Sequence, residues 1–206
     1  MTDFRLVPGL AGAVALWLLL APAAAPGADP QDADWPCIQR KVPEISAAVV
    51  WAGPPIDQAL SEWREDEEVE RLVGELAARS LPLETAQEKA EAFTQTLDGE
   101  RNARLTRLFA GLLQTVNRER GAIMAGIERY TRRQRELAER IEATGSRLDG
   151  LPAEAGARRE ELAQQQAWDI RIYQEREQSL KYLCQQPIDL EQRLFLLART
   201  IAGGLA

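Results

Sequence analysis

The chain of 206 residues contains no histidine and only two cysteines, and aromatic residues make up just 6% of it. Without histidine, the protein lacks the usual general base of enzymes, the commonest transition-metal ligand and a histidine-ligated haem. The sequence also has no phosphate-binding glycine loop and no spacing typical of a nucleophile with its base. We therefore expect no catalytic centre, no cofactor and no metal site.

The net charge of −7 conceals an asymmetry along the chain. Residues 29–100 contain 17 acidic and 6 basic side chains, whereas residues 101–147 contain 11 arginines and 5 glutamates. The two regions therefore either complement each other or face partners of different charge. Because glutamates interrupt the arginines, no clean basic stripe is present, and we do not expect nucleic acid as a partner.

The first 23 residues are typical of a secretory signal peptide. Arg5 precedes the apolar run Leu10–Leu20, and small residues at 21 and 23 favour cleavage after Ala23. We therefore expect an exported, periplasmic protein with a linker at residues 24–34. The alternative is an uncleaved helix that anchors the chain to the inner membrane, and we expect membrane contact only in that case.

Four prolines divide residues 35–55 too finely for a long helix. We predict an irregular strap here, which Trp35 and Trp51 attach to a helical domain together with apolar side chains such as Ile38 and Val42. The alternative is that the two tryptophans form a recognition patch, since tryptophans on non-helical backbone often mediate contacts.

Residues 57–98 are predicted to form short helices. The first begins at Gln58 with Asp57 as its cap, and the second covers Glu84–Leu97. The acidic run at residues 62–68 lies in the first helix. It lacks the Asp/Asn-and-Gly pattern of a calcium loop, so we interpret it as a solvated helix face.

The stretch at residues 99–150 has no proline, and its apolar residues recur at steps of three, four or seven. This periodicity predicts one helix of roughly 70 Å, although Gly121 and Gly126 could kink it. After a turn, a return helix over residues 153–185 completes an antiparallel hairpin, and a separate last helix covers residues 187–203.

The return helix has a predicted packing row, with Trp168, Ile172 and Tyr182 on an adjacent face. The row is Leu162, Ile170, Tyr173, Leu180 and Leu183. Pro187 is placed at the start of the last helix, where Asp189 and Gln192 are spaced like a capping box. Residues 35–206 are thus predicted to form a single all-α domain, with a helical head and a long hairpin arm.

Cys37 and Cys184 are the only cysteines, and export to an oxidising compartment favours a disulfide between them. Such a bond would attach the strap to the end of the return helix. The alternatives are two free buried thiols or a catalytic cysteine, for which the sequence offers no evident base.

These features favour a non-enzymatic exported protein that scaffolds or regulates an envelope complex through a protein partner. The alternative is a periplasmic chaperone similar in architecture to Spy/CpxP or Skp. Residues 83–87 (LETAQ) resemble the Leu-Thr-x-x-Gln signature of Spy-like proteins, but Leu and Thr are not adjacent here, and we do not assign the chain to that family. A carboxylate-based enzyme is a remote alternative. Helical hairpins whose packing faces are weak and polar often self-associate, so a homodimer is a further candidate assembly.

The candidate partner-binding residues are the tryptophans of the strap, three apolar or aromatic residues of the return helix, and arginines of the long helix. They are Trp35, Trp51, Trp168, Ile172, Tyr182, Arg129, Arg132, Arg133 and Arg140.

Overall fold

A computed structural model describes residues 33–206; the predicted signal peptide and almost all of the linker lie outside this range. Every regular element within it is helical. The helices are α1 (Ala47–Val50), α2 (Ala59–Glu62), α3 (Glu67–Ala77), α4 (Leu83–Thr96), α5 (Arg101–Asp149) and α6 (Gly156–Ala202). Helices α5 and α6 pack against each other as a hairpin, which confirms the predicted all-α fold with its long arm.

The head forms where the start of α5 and the end of α6 pack with α2, α3, α4 and the strap. Its core consists of aliphatic side chains together with Trp63, Phe93 and Phe109, of which Phe109 is fully buried. The hydrophobic cluster ends near Val116 on α5 and begins again at Leu190 on α6. Beyond these residues the two long helices continue and form the arm, and the strap lies against α5 as far as Arg135.

Close packing between α5 and the short helices depends on Gly111. A Cβ atom at this position would lie 2.7 Å from Val73 Cγ2 and 2.9 Å from the Trp63 ring. Trp63 is almost fully buried, and its Nε1 donates a hydrogen bond to Gln114 Oε1 at 3.1 Å. The glycine therefore lets the indole lie directly against the backbone of α5.

The predicted helix from Gln58 through the acidic run is wrong in its extent. Helix α2 has four residues, and α3 starts only at Glu67. The chain breaks between them because Asp66 caps α3 instead, accepting a hydrogen bond from Val69 N at 3.1 Å. Asp57 makes no cap bond to α2.

Helix α5 is continuous through Gly121 and Gly126, where a kink had been considered. A Cβ at Gly121 would meet nothing within 4 Å, so packing does not require glycine there. Each glycine costs roughly 1 kcal/mol relative to alanine, which α5 tolerates because its buried side chains continue on both sides of this section.

The predicted break before the last helix is also wrong, because α6 runs through Pro187 without interruption. Pro187 is buried in the helix, the turn before it is bonded to the strap through Cys184, and the turn after it enters the hydrophobic core at Leu190. Tertiary packing thus outweighs the loss of one helical hydrogen bond. Asp189 does not form a capping box, since its carboxylate accepts a hydrogen bond from Gln185 Nε2 at 2.8 Å within the helix.

Candidate interaction surfaces

The strap is held against α5 by polar side chains as well as by apolar ones. Asn117 donates to Ile45 O at 3.0 Å and accepts from Ile45 N at 2.9 Å, as a neighbouring strand would. One turn further along, the buried Arg120 donates to the carbonyl oxygens of Val42 and Pro43. Lys41 then pairs with Glu128. One face of α5 therefore fixes the course of the strap.

The disulfide predicted from the sequence is present between Cys37 and Cys184, with a Cα–Cα distance of 5.6 Å. Next to it, Gln39 Nε2 donates to the backbone oxygen of Cys184 at 2.6 Å. The strap is thus covalently attached to α6 close to Pro187, and its anchorage uses both long helices.

The two strap tryptophans are contacts within the domain and not open surfaces. Trp51 stacks on Phe109 with ring centroids 4.2 Å apart, and its Nε1 donates to Pro54 O. Trp35 is half-buried and donates to Gln39 O at 2.7 Å. Ile38, in contrast, was expected to anchor the strap and is fully exposed, while Val42 is 45% exposed.

Three of the four candidate arginines of α5 fall into two groups. Arg132, together with the neighbouring Arg135, binds Asp34 at 2.8 and 2.9 Å, and these hydrogen bonds hold the pKa of that carboxyl below its usual value. Arg129 and Arg133 are exposed, and neither has an ion-pair partner among residues 33–206. Only the second group is available to a partner without competition from the described residues.

Arg140 belongs to neither group, because it forms a bidentate pair with Asp169 across the arm. The two bonds measure 2.9 and 2.7 Å, and the Asp169 carboxylate raises the pKa of the guanidinium. Asp169 is only 4% exposed. It follows Leu162 by seven residues and precedes Tyr173 by four, so it lies in the packing row that we had assigned to Ile170. Ile170 is instead 37% exposed.

Further polar contacts cross the seam between α5 and α6. Gln134 donates to Tyr173 O at 3.1 Å, Tyr130 donates to Arg176 O at 2.8 Å and Gln166 donates to Ile141 O at 3.2 Å. Each contact joins a side chain of one helix to the backbone of the other. The arm is thus aligned by directional hydrogen bonds, whereas the head is held together by apolar packing.

Three of the candidate residues lie together on the arm. Arg133, Arg140 and Ile172 line a shallow groove of about 270 Å³, which Leu137 and Arg176 also border. Two large aromatics are exposed on the same helix as Ile172, Trp168 by 60% and Tyr182 by 78%. They are four turns apart, or about 21 Å. Arg129 and the strap tryptophans do not line this groove.

A second groove, of about 380 Å³, lies over the disulfide. Its lining is mainly apolar and comes from the strap and one face of α6. Ile38 borders it, as do Leu180 and Ile188, while Glu177 and Lys181 contribute charge. This groove was not predicted from the sequence, since Ile38 had been interpreted as an anchor of the strap.

Neither a metal cluster nor a membrane span is found in the described part of the chain. No group of three or more Cys, Asp or Glu side chains among residues 33–206 could hold a metal ion. No helix in that range is both long and apolar enough to cross a bilayer. Comparisons with protein-family models, with curated proteins and with solved structures found no match to this chain.

Proposed function

We propose that this chain is a non-enzymatic, exported interaction protein whose arm binds a protein partner in an envelope complex. The observation that carries the proposal is the exposure of Trp168 and Tyr182, at 60% and 78%, on the arm. Tryptophan, tyrosine and arginine are the residues most enriched at energetically important interface positions. On this arm Trp168 precedes Ile172 by four residues of α6, and Ile172 lines a groove together with Arg133.

The division between head and arm supports this assignment of roles. The head has a closed apolar core, and its strap tryptophans are used internally. The arm contributes little to that core and presents aromatic and cationic side chains to solvent. The disulfide supports export, since such bonds persist in oxidising compartments.

The test is capture of a partner with the exported protein from periplasmic and membrane fractions, followed by identification of what is bound. The double variant Trp168→Ala, Tyr182→Ala should reduce recovery of one specific envelope protein by at least about tenfold, as expected for two interface anchors. Phe195→Ala is the matched control, because Phe195 is an exposed aromatic, at 41%, on the head portion of α6. Equal recovery with both variants would refute the role of the arm.

A chaperone that holds unfolded clients is the second candidate, and one observation favours it. Large apolar side chains are exposed at separate places on the strap, arm and head, as a surface for varied clients would require. They are Ile38, Val42, Val49, Trp168, Ile170, Tyr182 and Phe195. Suppression of aggregation of several unrelated denatured proteins at equimolar ratio would support the chaperone, whereas one specific partner would support the scaffold.

A further inference from the structure

The groove over the disulfide has a shape that is suited to contact with the same groove on a second copy of the chain. Ile38 borders the groove and is fully exposed, so this side chain protrudes from the protein surface. Beside it lies an apolar depression lined by Pro36, Leu180 and Ile188. One patch thus carries both a protruding isoleucine and a recess large enough to receive one.

Charged side chains of both signs also belong to this patch. Glu177 and Lys181 border the groove from α6, and Arg40 follows Ile38 by two residues on the strap. Arg40 and Glu177 are exposed, and neither has an ion-pair partner among the described residues 33–206. In a two-fold symmetric pair, every contact between one patch and its copy occurs twice, so one Arg40–Glu177 match provides two ion pairs.

We infer that this groove is the interface of a two-fold symmetric homodimer, in which Ile38 of each protomer enters the groove of the other. Arg40 then faces Glu177 of the partner subunit on both sides of the axis. The covalent bond between Cys37 and Cys184 holds the protruding side chain and the recess in a fixed relation. This preorganisation reduces the conformational entropy lost on association. The inference is independent of the partner proposed for the arm.

The first experiment measures the mass of the oxidised protein across a concentration series by analytical ultracentrifugation. The wild type should show a reversible monomer–dimer equilibrium, and Ile38→Asp should weaken it by at least about a hundredfold, because it places a charge in an apolar recess. Val49→Asp is the matched control: Val49 is 75% exposed but does not line the groove. It should leave the dimer unchanged.

The second experiment tests the symmetry through a charge exchange. Arg40→Glu and Glu177→Arg should each weaken the dimer by about tenfold or more, since each creates two like-charge contacts. The double variant should return to within a few-fold of the wild type. Both residues are exposed, so folding is not at risk, and circular dichroism checks it for each variant.

Any of four outcomes would overturn the inference. One is a wild type that stays monomeric at every concentration. Another is a dimer that Ile38→Asp does not weaken, which would place the interface elsewhere. The third is a double charge exchange that fails to restore association although each single variant weakens it. A monomer whose groove binds a different protein through Ile38 would likewise exclude a second copy as the occupant.

Discussion

The pair between Arg140 and Asp169 leads to an asymmetric prediction about the stability of the arm. The Asp169 side chain is 6% exposed, whereas that of Arg140 is 54% exposed. Removal of the arginine therefore strands a carboxylate between two helices, while removal of the aspartate leaves a guanidinium that can turn into water. The two alanine substitutions break the same hydrogen bonds but should lower the free energy of unfolding by different amounts.

The expected magnitudes follow from this difference in exposure. Breaking a buried pair from one side costs about 3–5 kcal/mol, and because Arg140 is half exposed we expect the lower end, about 3 kcal/mol, for Arg140→Ala. Asp169→Ala should cost only about 1 kcal/mol, the usual value of a hydrogen-bonded contact. Asp169→Leu should be neutral or stabilising, since it continues the apolar row of Leu162 and Tyr173.

Urea unfolding followed by far-ultraviolet circular dichroism measures these differences, and hydrogen exchange of the arm amides detects unfolding confined to the arm. Equal costs for the two alanine variants would refute the reasoning. So would a large loss in Asp169→Leu, because it would mean that the charge itself holds the arm together.

Three further predictions concern the head and the strap. Replacing Cys37 and Cys184 by alanine should cost about 2–5 kcal/mol in urea unfolding, because the bond closes a loop with a sequence separation of 147; an unchanged midpoint would contradict this. Gly111→Ala should lose about 1–3 kcal/mol through overpacking, whereas Gly74→Ala, where a Cβ meets nothing within 4 Å, should gain about 0.5–1 kcal/mol; thermal melts of both variants test the contrast. Asp66→Ala should cost about 1–2 kcal/mol at neutral pH as a cap and ion-pair partner. The pKa of Asp66 is lowered by hydrogen bonds from its arginine partner, so this stabilisation should be lost as pH falls below about 4, and melts at a series of pH values should show the variant and the wild type converging.

The long helix could be predicted because its signal is repeated many times. Apolar residues recur along the whole of α5, so the helix is found even with two glycines inside it. The disulfide could be predicted because only one pairing of Cys37 and Cys184 exists within the chain. Neither prediction depends on the identity of any one neighbouring residue.

The breaks between helices were harder to predict, because each depends on a balance between local sequence preference and tertiary packing. Pro187 is a strong local signal for a helix start, yet packing against α5 and the strap carries α6 through it. Asp57 and Asp66 are both suitable caps by residue type. Asp66 is the cap because it also binds Arg104, which lies 38 residues further along the chain. No local pattern could report that contact.

The surface residues show the same limit most clearly. The face of α6 that packs against α5 was assigned by the positions of apolar residues, which placed Ile170 inside and identified no partner for Asp169. A shift of one residue turns a helix by about 100°, and the buried carboxylate at Asp169 is acceptable only because Arg140 reaches it from the other helix. Polar residues in such seams specify register at some cost in stability. Trp168 and Tyr182 lie on the helix that this seam orients, so Arg140→Ala, which strands Asp169 in the seam, should alter partner binding by the arm although every aromatic residue is retained.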